Sequence, residues 1–321
     1  MADGGIGAWG VPLAIFAGAI RVGTPFIFVS LGECITEKSG RINLGLEGTL
    51  VMGAMTGYAV SYLTSNSGFG HSPLAALCPW LGVLAAGASG VVLGVIHALL
   101  CQRPRVNDIA VGIAMMLFGI GLAFYLGKPV IQPPAPRLPA LPLGFWSNSS
   151  QLRDALDINA LFILGCILAP IIGWALKNTR WGMIVRTVGE SSESARAMGY
   201  SVDRDRLLAT AVGGFFAGVG GSFLSLSYPG GWNEGLASGQ GLMAVALVIF
   251  ARWSPMRCLF AAFLFGGAGA LGTALQSIHI TWGTYMFSAA PYFLTLVIMI
   301  VTCSPKRMWA GAPAELGAAN R

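Results

Sequence analysis

Long uninterrupted apolar runs constrain the fold of this chain more than any other feature of its sequence. A helix of about 20 residues crosses the roughly 30 Å of hydrocarbon in a bilayer. Nine runs reach or approach that length, at residues 11–31, 44–63, 74–101, 106–127, 158–176, 207–228, 232–251, 256–275 and 287–303. They are continuous, whereas the strands of a membrane barrel alternate between polar and apolar residues.

Composition agrees with a membrane protein. Of the 321 residues, 55% are hydrophobic and only 10% are charged, with a mean hydropathy of +0.70, far from the mixture in soluble domains. We therefore predict an all-α fold: one polytopic transmembrane helix bundle over residues 1–321, with about nine helices (eight to ten).

The positive charges indicate the orientation. Most of the 19 Lys and Arg residues follow odd-numbered helices, among them Lys38, Arg41, Arg103, Arg105, Lys177, Arg180, Arg186, Arg196, Arg204, Arg206, Arg252, Arg257, Lys306 and Arg307. Loops rich in Lys and Arg stay on the cytoplasmic side of a membrane. The N-terminus is then expected outside, and the multi-pass chain in a bacterial inner membrane.

Two connections are long enough to carry a function. Residues 128–157 form a Pro-rich external loop, KPVIQPPAPRLPALPLGFW at its start, which is either a docking surface or a plain connector with a short helix at Trp146. Residues 178–206 form the only sizeable cytoplasmic loop. Its centre, ESSESARAMG from Glu190 to Gly199, has the acidic start and glycine end of a short helix.

Polar residues concentrate near the first helix, in GECITEKSGRINLGLEG at residues 32–48. Ionisable groups within a membrane usually face a cavity or one another. Two readings of these side chains stay open, a polar translocation path or a structural hydrogen-bond network. The candidates are Glu33, Asn43, Glu47, Asn107 and Asp108. Aromatic rings that could stack on a base or simply pack are Phe26, Phe28, Tyr58, Phe124 and Trp232.

Three stretches resemble one family. GECITEKSGRINLGLEG, the segment RTVGESSESARAMGYSVDRDR, and GLASGQGLMAVALVIFARWSPMRC with its RW-x-P turn resemble, in order and spacing, the permease subunits of ABC importers. The likeness covers residues 11 to about 304. It is greatest to the branch that carries ribose-type sugars and nucleosides, and within it to permeases that work with BMP-type binding proteins.

The resemblance implies a function and partners. It implies an ABC importer permease fold that forms the pathway for a small polar solute, most of all a nucleoside, with a ribose-type sugar or a flavin as alternatives. It further implies ATPase subunits at the cytoplasmic face, a second permease subunit of a different chain, and an external solute-binding protein. The loop residues expected to couple to the ATPase are Glu190, Ser194, Ala195, Arg196, Ala197 and Gly199.

Other classes of protein fit this sequence poorly. The ATP-binding pattern G-x-x-x-x-G-K-[ST] is missing, so ATP hydrolysis is expected from partner subunits and this chain is not expected to be an enzyme. The six cysteines form no CxxC pair, and neither a metal nor a cofactor is expected. The net charge of +6 follows membrane topology, which argues against nucleic acid and for lipid as a partner. A self-sufficient secondary transporter or channel would carry acidic residues in the middle of several helices.

Overall fold

The computed structural model describes residues 10–131, 134–143, 153, 156–276, 286–287, 289–302 and 311–318. Most of these residues are helical, and the predicted all-α class is confirmed. The helices are α1 (Gly10–Lys38), α2 (Leu46–Asn66), α3 (Cys78–Cys101), α4 (Asp108–Gly127), α5 (Ala160–Asn178), α6 (Arg180–Glu190), α7 (Ser192–Ala197), α8 (Val202–Leu226), α9 (Gln240–Phe250), α10 (Pro255–Gln276), α11 (Ala290–Thr302) and α12 (Ala314–Ala318).

Each of the nine apolar segments overlaps one of the longer helices. Among the described residues, six helices are long and apolar enough to cross a membrane: α1, α3, α4, α5, α8 and α10. Helix α9 is a shorter apolar helix. Residues 288 and 303 of the last predicted segment lie outside the described part.

Helix α9 is much shorter than the 232–251 segment predicts. It begins only at Gln240, after Ser238 and Gly239 adopt left-handed backbone angles with φ of 46° and 81°. Such a conformation interrupts a right-handed helix. Residues 232–239 therefore form a non-helical approach to α9.

The centre of the bundle is α8, which packs against α1, α2 and α3. Small residues allow the close approach. A Cβ added at Gly53 would collide with the backbone of Gly218, and one at Gly90 would collide with the backbone of Gly214. In lipid, where no hydrophobic effect drives helices together, such backbone proximity is a main source of association. Gly53 and Gly90, the first residues of two GxxxG pairs, are thus packing sites.

The Pro-rich connection folds back over the end of α8. Strand β1 (Ala140–Pro142) pairs antiparallel with β2 (Asp157–Asn159). The Leu138 N–H donates to the Leu226 carbonyl at 3.0 Å, and Asn159 Nδ2 donates to Ser227 Oγ at 3.0 Å. Residues 132–133, 144–152 and 154–155, with Trp146 among them, lie outside the described part.

Candidate functional site

The segment between α1 and α2, residues 39–45, turns back into the bundle. The Asn43 N–H donates to Glu33 Oε1 at 2.9 Å, so Asn43 lies beside a residue more than one turn before the end of α1. Gly48, near the start of α2, packs against the backbone of Met115 and Met116 in α4. Met115 is seven residues into α4, about 10 Å along its axis at 1.5 Å per residue. Helix α2 therefore begins inside the protein.

The first turn of α9 lies against the first turn of α2. A Cβ at Gly241 would approach the Glu47 Cα and N to 2.6 Å. The Glu47 carboxylate reaches across this contact: Oε1 accepts from the Gly239 N–H at 2.8 Å and Oε2 from the Gly241 N–H at 2.6 Å. Gly241 lies in the first turn of α9 and Gly239 is the residue just before the helix, where N–H donors have no partner within the helix. Glu47, only 6% exposed, thus caps a helix almost 200 residues away in sequence.

A second acidic residue fixes the other end of α9. The chain leaves α9 through a tight turn in which Arg252 and Trp253 have φ of 51° and 52°. The Trp253 indole N–H donates to the Glu37 carboxylate, and both side chains are buried. The RW-x-P turn is thereby tied to the end of α1.

Glu33 and Glu37 lie one turn apart on α1, and both side chains are buried. The three glutamates of the opening motif make three connections. Glu33 bonds to residues 39–45, which we call the re-entrant segment, Glu37 bonds to the turn after α9, and Glu47 bonds to the start of α9. Two helices, α2 and α9, consequently begin at one buried junction, which we call the α2/α9 junction (residues 43–48 and 239–241). The polar side chains of this junction supply the hydrogen bonds that two helices need when they begin inside the protein.

Asn107 lies away from this junction. Its side chain is exposed, and its Oδ1 accepts from the Ile109 and Ala110 N–H groups as the N-cap of α4. Asp108 follows it and forms a 2.5 Å ion pair with Arg41 of the opening motif. The predicted residues Glu33, Asn43 and Glu47 are therefore brought together, whereas Asn107 is at the end of the bundle.

The long cytoplasmic loop of the sequence analysis is largely helical. Helix α6 runs up to Glu190, and Ser191 caps α7 by accepting from the Ser194 N–H at 3.2 Å. Helix α7 ends at Ala197, and Gly199 follows with a φ of 83°. The predicted short helix is present, but Glu190 belongs to the helix that precedes it.

One residue anchors α7 to the bundle. Ala195 is fully buried in a small apolar cluster with Val188 of α6 and Val202 of α8. The other proposed coupling residues are exposed: Glu190, Ser194, Arg196, Ala197 and Gly199. Helix α7 therefore presents a polar face outward while its position is set by a contact at its centre.

Sequence reasoning missed several residues of the site. Trp253 is part of the RW-x-P motif, yet its hydrogen bond to Glu37 has no local signal. Gly239 and Gly241 are common residues in a chain with 45 glycines.

Of the aromatic candidates, Phe26, Phe28, Tyr58 and Trp232 are buried in the core, and Phe124 packs against Trp232. Within the described residues, no group of three or more His, Cys, Asp or Glu could hold a metal ion.

Comparison with known proteins gives a consistent result. A family model described as "branched-chain amino acid transport system / permease component" matches residues 15–303. A putative glucose ABC transporter permease of Haloferax volcanii is 32% identical over 81% of this chain and 77% of its own. A guanosine ABC transporter permease of Bacillus subtilis is 31% identical over 86% and 87%. A nucleoside ABC transporter permease of Lactococcus lactis is 27% identical over 89% and 90%.

Proposed function

This chain belongs to the family of branched-chain amino acid transport system permease components, and we propose that it forms the translocation pathway of an ATP-driven importer for nucleosides. It is a multi-pass membrane transport subunit, and the resemblance to ABC importer permeases is confirmed. The membrane is the bacterial inner membrane. ATP is hydrolysed by partner subunits.

The observation that carries the nucleoside assignment is the similarity to permeases named for guanosine and for nucleosides, each over more than four fifths of this chain. A sugar is the second candidate, because a relative that is 32% identical is named for glucose. Sugars are neutral polyols, and nucleosides are neutral molecules that carry a sugar.

The α2/α9 junction supports a neutral solute. A half-helix that begins inside a membrane protein presents N–H groups and a positive dipole end, which transporters use for anionic solutes. Here the Glu47 carboxylate already occupies that end of α9. An anionic solute would have to displace a buried, doubly bonded carboxylate.

We place the path along the exposed side of this junction. Glu33, Asn43 and Glu47 hold its backbone, while Asn233, Glu234 and the half-exposed Tyr292 ring lie at the surface. Tyr292 donates its hydroxyl proton to the Ser238 carbonyl at 3.0 Å, which fixes the ring beside the approach to α9. An aromatic ring stacks on a base with about 1–3 kcal/mol. Asn107 would lie at the cytoplasmic exit.

Partners complete the transporter. ATPase subunits bind the exposed face of α7, a second permease of a different chain closes the path opposite Tyr292, and a solute-binding protein docks on the 128–157 surface. Nucleotide-driven closure of the ATPases would move α6 and α7 and so shift the bundle between two states. Glu190, Ser194, Arg196, Ala197 and Gly199 would meet the ATPase, with Ala195 fixing the helix.

The solute class is tested with the cognate binding protein. We expect nucleosides to raise its melting temperature and to compete with one another, whereas glucose and ribose leave it unchanged. A response to a sugar alone would replace the nucleoside assignment by the second candidate.

The path is tested at Tyr292. Tyr292→Phe keeps the ring and loses only the hydroxyl, whereas Tyr292→Ala removes the stacking surface. We expect Tyr292→Ala to raise the half-saturating nucleoside concentration for transport about tenfold, since losing one stacked ring costs on the order of 1–3 kcal/mol. Tyr292→Phe serves as the matched control. Equal transport by both variants would remove Tyr292 from the path.

Coupling is tested at Glu190 and Gly199, the exposed residues that flank α7. A Glu190→Lys, Gly199→Pro double variant changes charge at one end and forbids the left-handed φ at the other. We expect normal membrane insertion and a large loss of solute-stimulated ATP hydrolysis. Unchanged stimulation would refute the assignment of α7 as the coupling element.

A further inference from the structure

The described C-terminal segment, residues 311–318, contacts the bundle although it lies beyond the residues matched by the family model. Lys38 Nζ, at the end of α1, donates to the Gly311 carbonyl at 2.9 Å. Leu316 of α12 is 3% exposed and joins the main hydrophobic core. The segment is thus packed in place and not simply adjacent to the bundle.

One side chain of this segment bridges two elements. Glu315 Oε1 accepts from the Ser192 N–H at 2.8 Å, at the first residue of α7. Its Oε2 accepts from Arg206 NH2 at 3.2 Å, in the first turns of α8. Arg206 is 8% exposed and also donates from Nε to the Ser39 carbonyl at 3.1 Å. A continuous chain of hydrogen bonds therefore runs from α7 through Glu315 and Arg206 to the start of the re-entrant segment.

The backbones around this chain are tightly apposed. A Cβ at Gly40 would lie 2.9 Å from the Glu315 Cβ, 3.2 Å from Arg206 NH2 and 3.3 Å from the Gly189 Cα. A Cβ at Gly189 would in turn meet the Lys38 carbonyl. Helix α6, the opening motif and the C-terminal segment consequently leave each other no room to slide.

The carboxylate is held in its charged form. Burial alone would raise the pKa of Glu315, but hydrogen bonds from Ser192 and the charge of Arg206 together lower that pKa below its ordinary value. Both bonds of the bridge are therefore bonds to a charged group, which are stronger than neutral ones.

We propose that Glu315 is a positioning residue that transmits movement of α7 to the opening motif, through Arg206 and the Ser39 carbonyl. The inference rests on the proposed function, because α7 moves only if an ATPase moves it. A rigid link at this point would carry the displacement of a helix on the surface to the segment that leads into the α2/α9 junction. Without the carboxylate, α7 could move while residues 39–45 stay in place.

The experiment uses the complete reconstituted complex with its binding protein, and compares wild type, Glu315→Ala, Glu315→Gln and Asp203→Asn. Asp203 is an exposed acidic residue three positions before Arg206, which makes it a matched control. The readouts are the yield of assembled complex, basal ATP hydrolysis, and hydrolysis stimulated by the loaded binding protein.

We expect Glu315→Ala to lower the ratio of stimulated to basal hydrolysis at least about tenfold, because it removes both charge-assisted hydrogen bonds of the bridge and the loss of one of them in one of two states already produces that change. Assembly and basal hydrolysis stay unchanged. Glu315→Gln keeps an oxygen for the Ser192 N–H and should lose less, and Asp203→Asn should match wild type.

Three results would overturn the inference. One is a stimulation ratio in Glu315→Ala within twofold of wild type. Another is a parallel fall of assembly and basal hydrolysis in both Glu315 variants, which would indicate a purely structural role. The third is an equal loss in Asp203→Asn. If wild type itself shows no stimulation, the proposed function fails first and the inference falls with it.

Discussion

Replacing Glu47 by alanine is the most informative single change, since it tests how the α2/α9 junction is held together. The carboxylate accepts two backbone hydrogen bonds, from Gly239 at 2.8 Å and Gly241 at 2.6 Å, in a site that is 6% exposed. Alanine leaves both N–H donors without this partner. Each buried donor left unpaired costs about 1–3 kcal/mol, so the expected loss is about 2–6 kcal/mol of stability.

Glu47→Gln separates charge from shape. The amide oxygen keeps one bond, but its NH2 group would face the second N–H donor, so about half of the alanine effect should remain. Glu234→Ala is the matched control, because Glu234 is an exposed carboxylate in the same approach to α9 and surface changes usually stay within about 0.5 kcal/mol.

The assay is thermal unfolding of the purified protein in nanodiscs, followed by tryptophan fluorescence. We expect the largest fall in melting temperature for Glu47→Ala and a smaller fall for Glu47→Gln. Glu234→Ala should have the melting temperature of wild type. A melting temperature of Glu47→Ala within about 1 °C of wild type would refute the reasoning, since a loss of even 1 kcal/mol moves it by more.

Three further predictions follow from other contacts. Trp253→Phe keeps a ring but loses the indole N–H that donates to Glu37, so thermal unfolding should show a loss of about 1–3 kcal/mol; an unchanged melting curve would contradict the contact. The Glu315 carboxylate has a lowered pKa, so its stabilisation is fully present above the unfolded pKa of about 4.3 and is lost as pH falls through the lower folded pKa. The difference in melting temperature between wild type and Glu315→Gln should therefore be constant from neutral to mildly acidic pH and shrink only below the unfolded value, and a difference that grows on acidification would have the wrong sign. Gly53→Ala would collide with the backbone of α8, whereas Gly121→Ala meets nothing within 4 Å; the yield of folded protein should fall for the first variant only.

The sequence predicts the parts of the fold that depend on local composition. Apolar runs indicate all six of the described helices that are long and apolar enough to cross a membrane, because the free energy of placing a helix in lipid is a sum over its own residues. Three motifs whose order and spacing resemble those of the family were enough to indicate it.

The junction could not be predicted, since it depends on contacts between residues far apart in the chain. Nothing near Glu47 indicates that its carboxylate will meet Gly241, and nothing near Glu37 indicates Trp253. The hydropathy of residues 232–251 is that of a full helix, and only the left-handed backbone at Ser238 and Gly239 shortens it. Glu315 lies in a short segment without a motif, so its contacts with Ser192 and Arg206 are visible only in the folded protein.

Transport by the reconstituted complex tests the central claim most directly. Proteoliposomes would contain this chain, its ATPase and permease partners, and the binding protein, with ATP on the side of the ATPase and labelled guanosine on the other. We predict uptake that requires ATP and the binding protein, that unlabelled nucleosides abolish and that excess glucose leaves unchanged. Guanosine flux through vesicles that contain this chain alone, or uptake by the full complex that does not depend on ATP, would contradict the account.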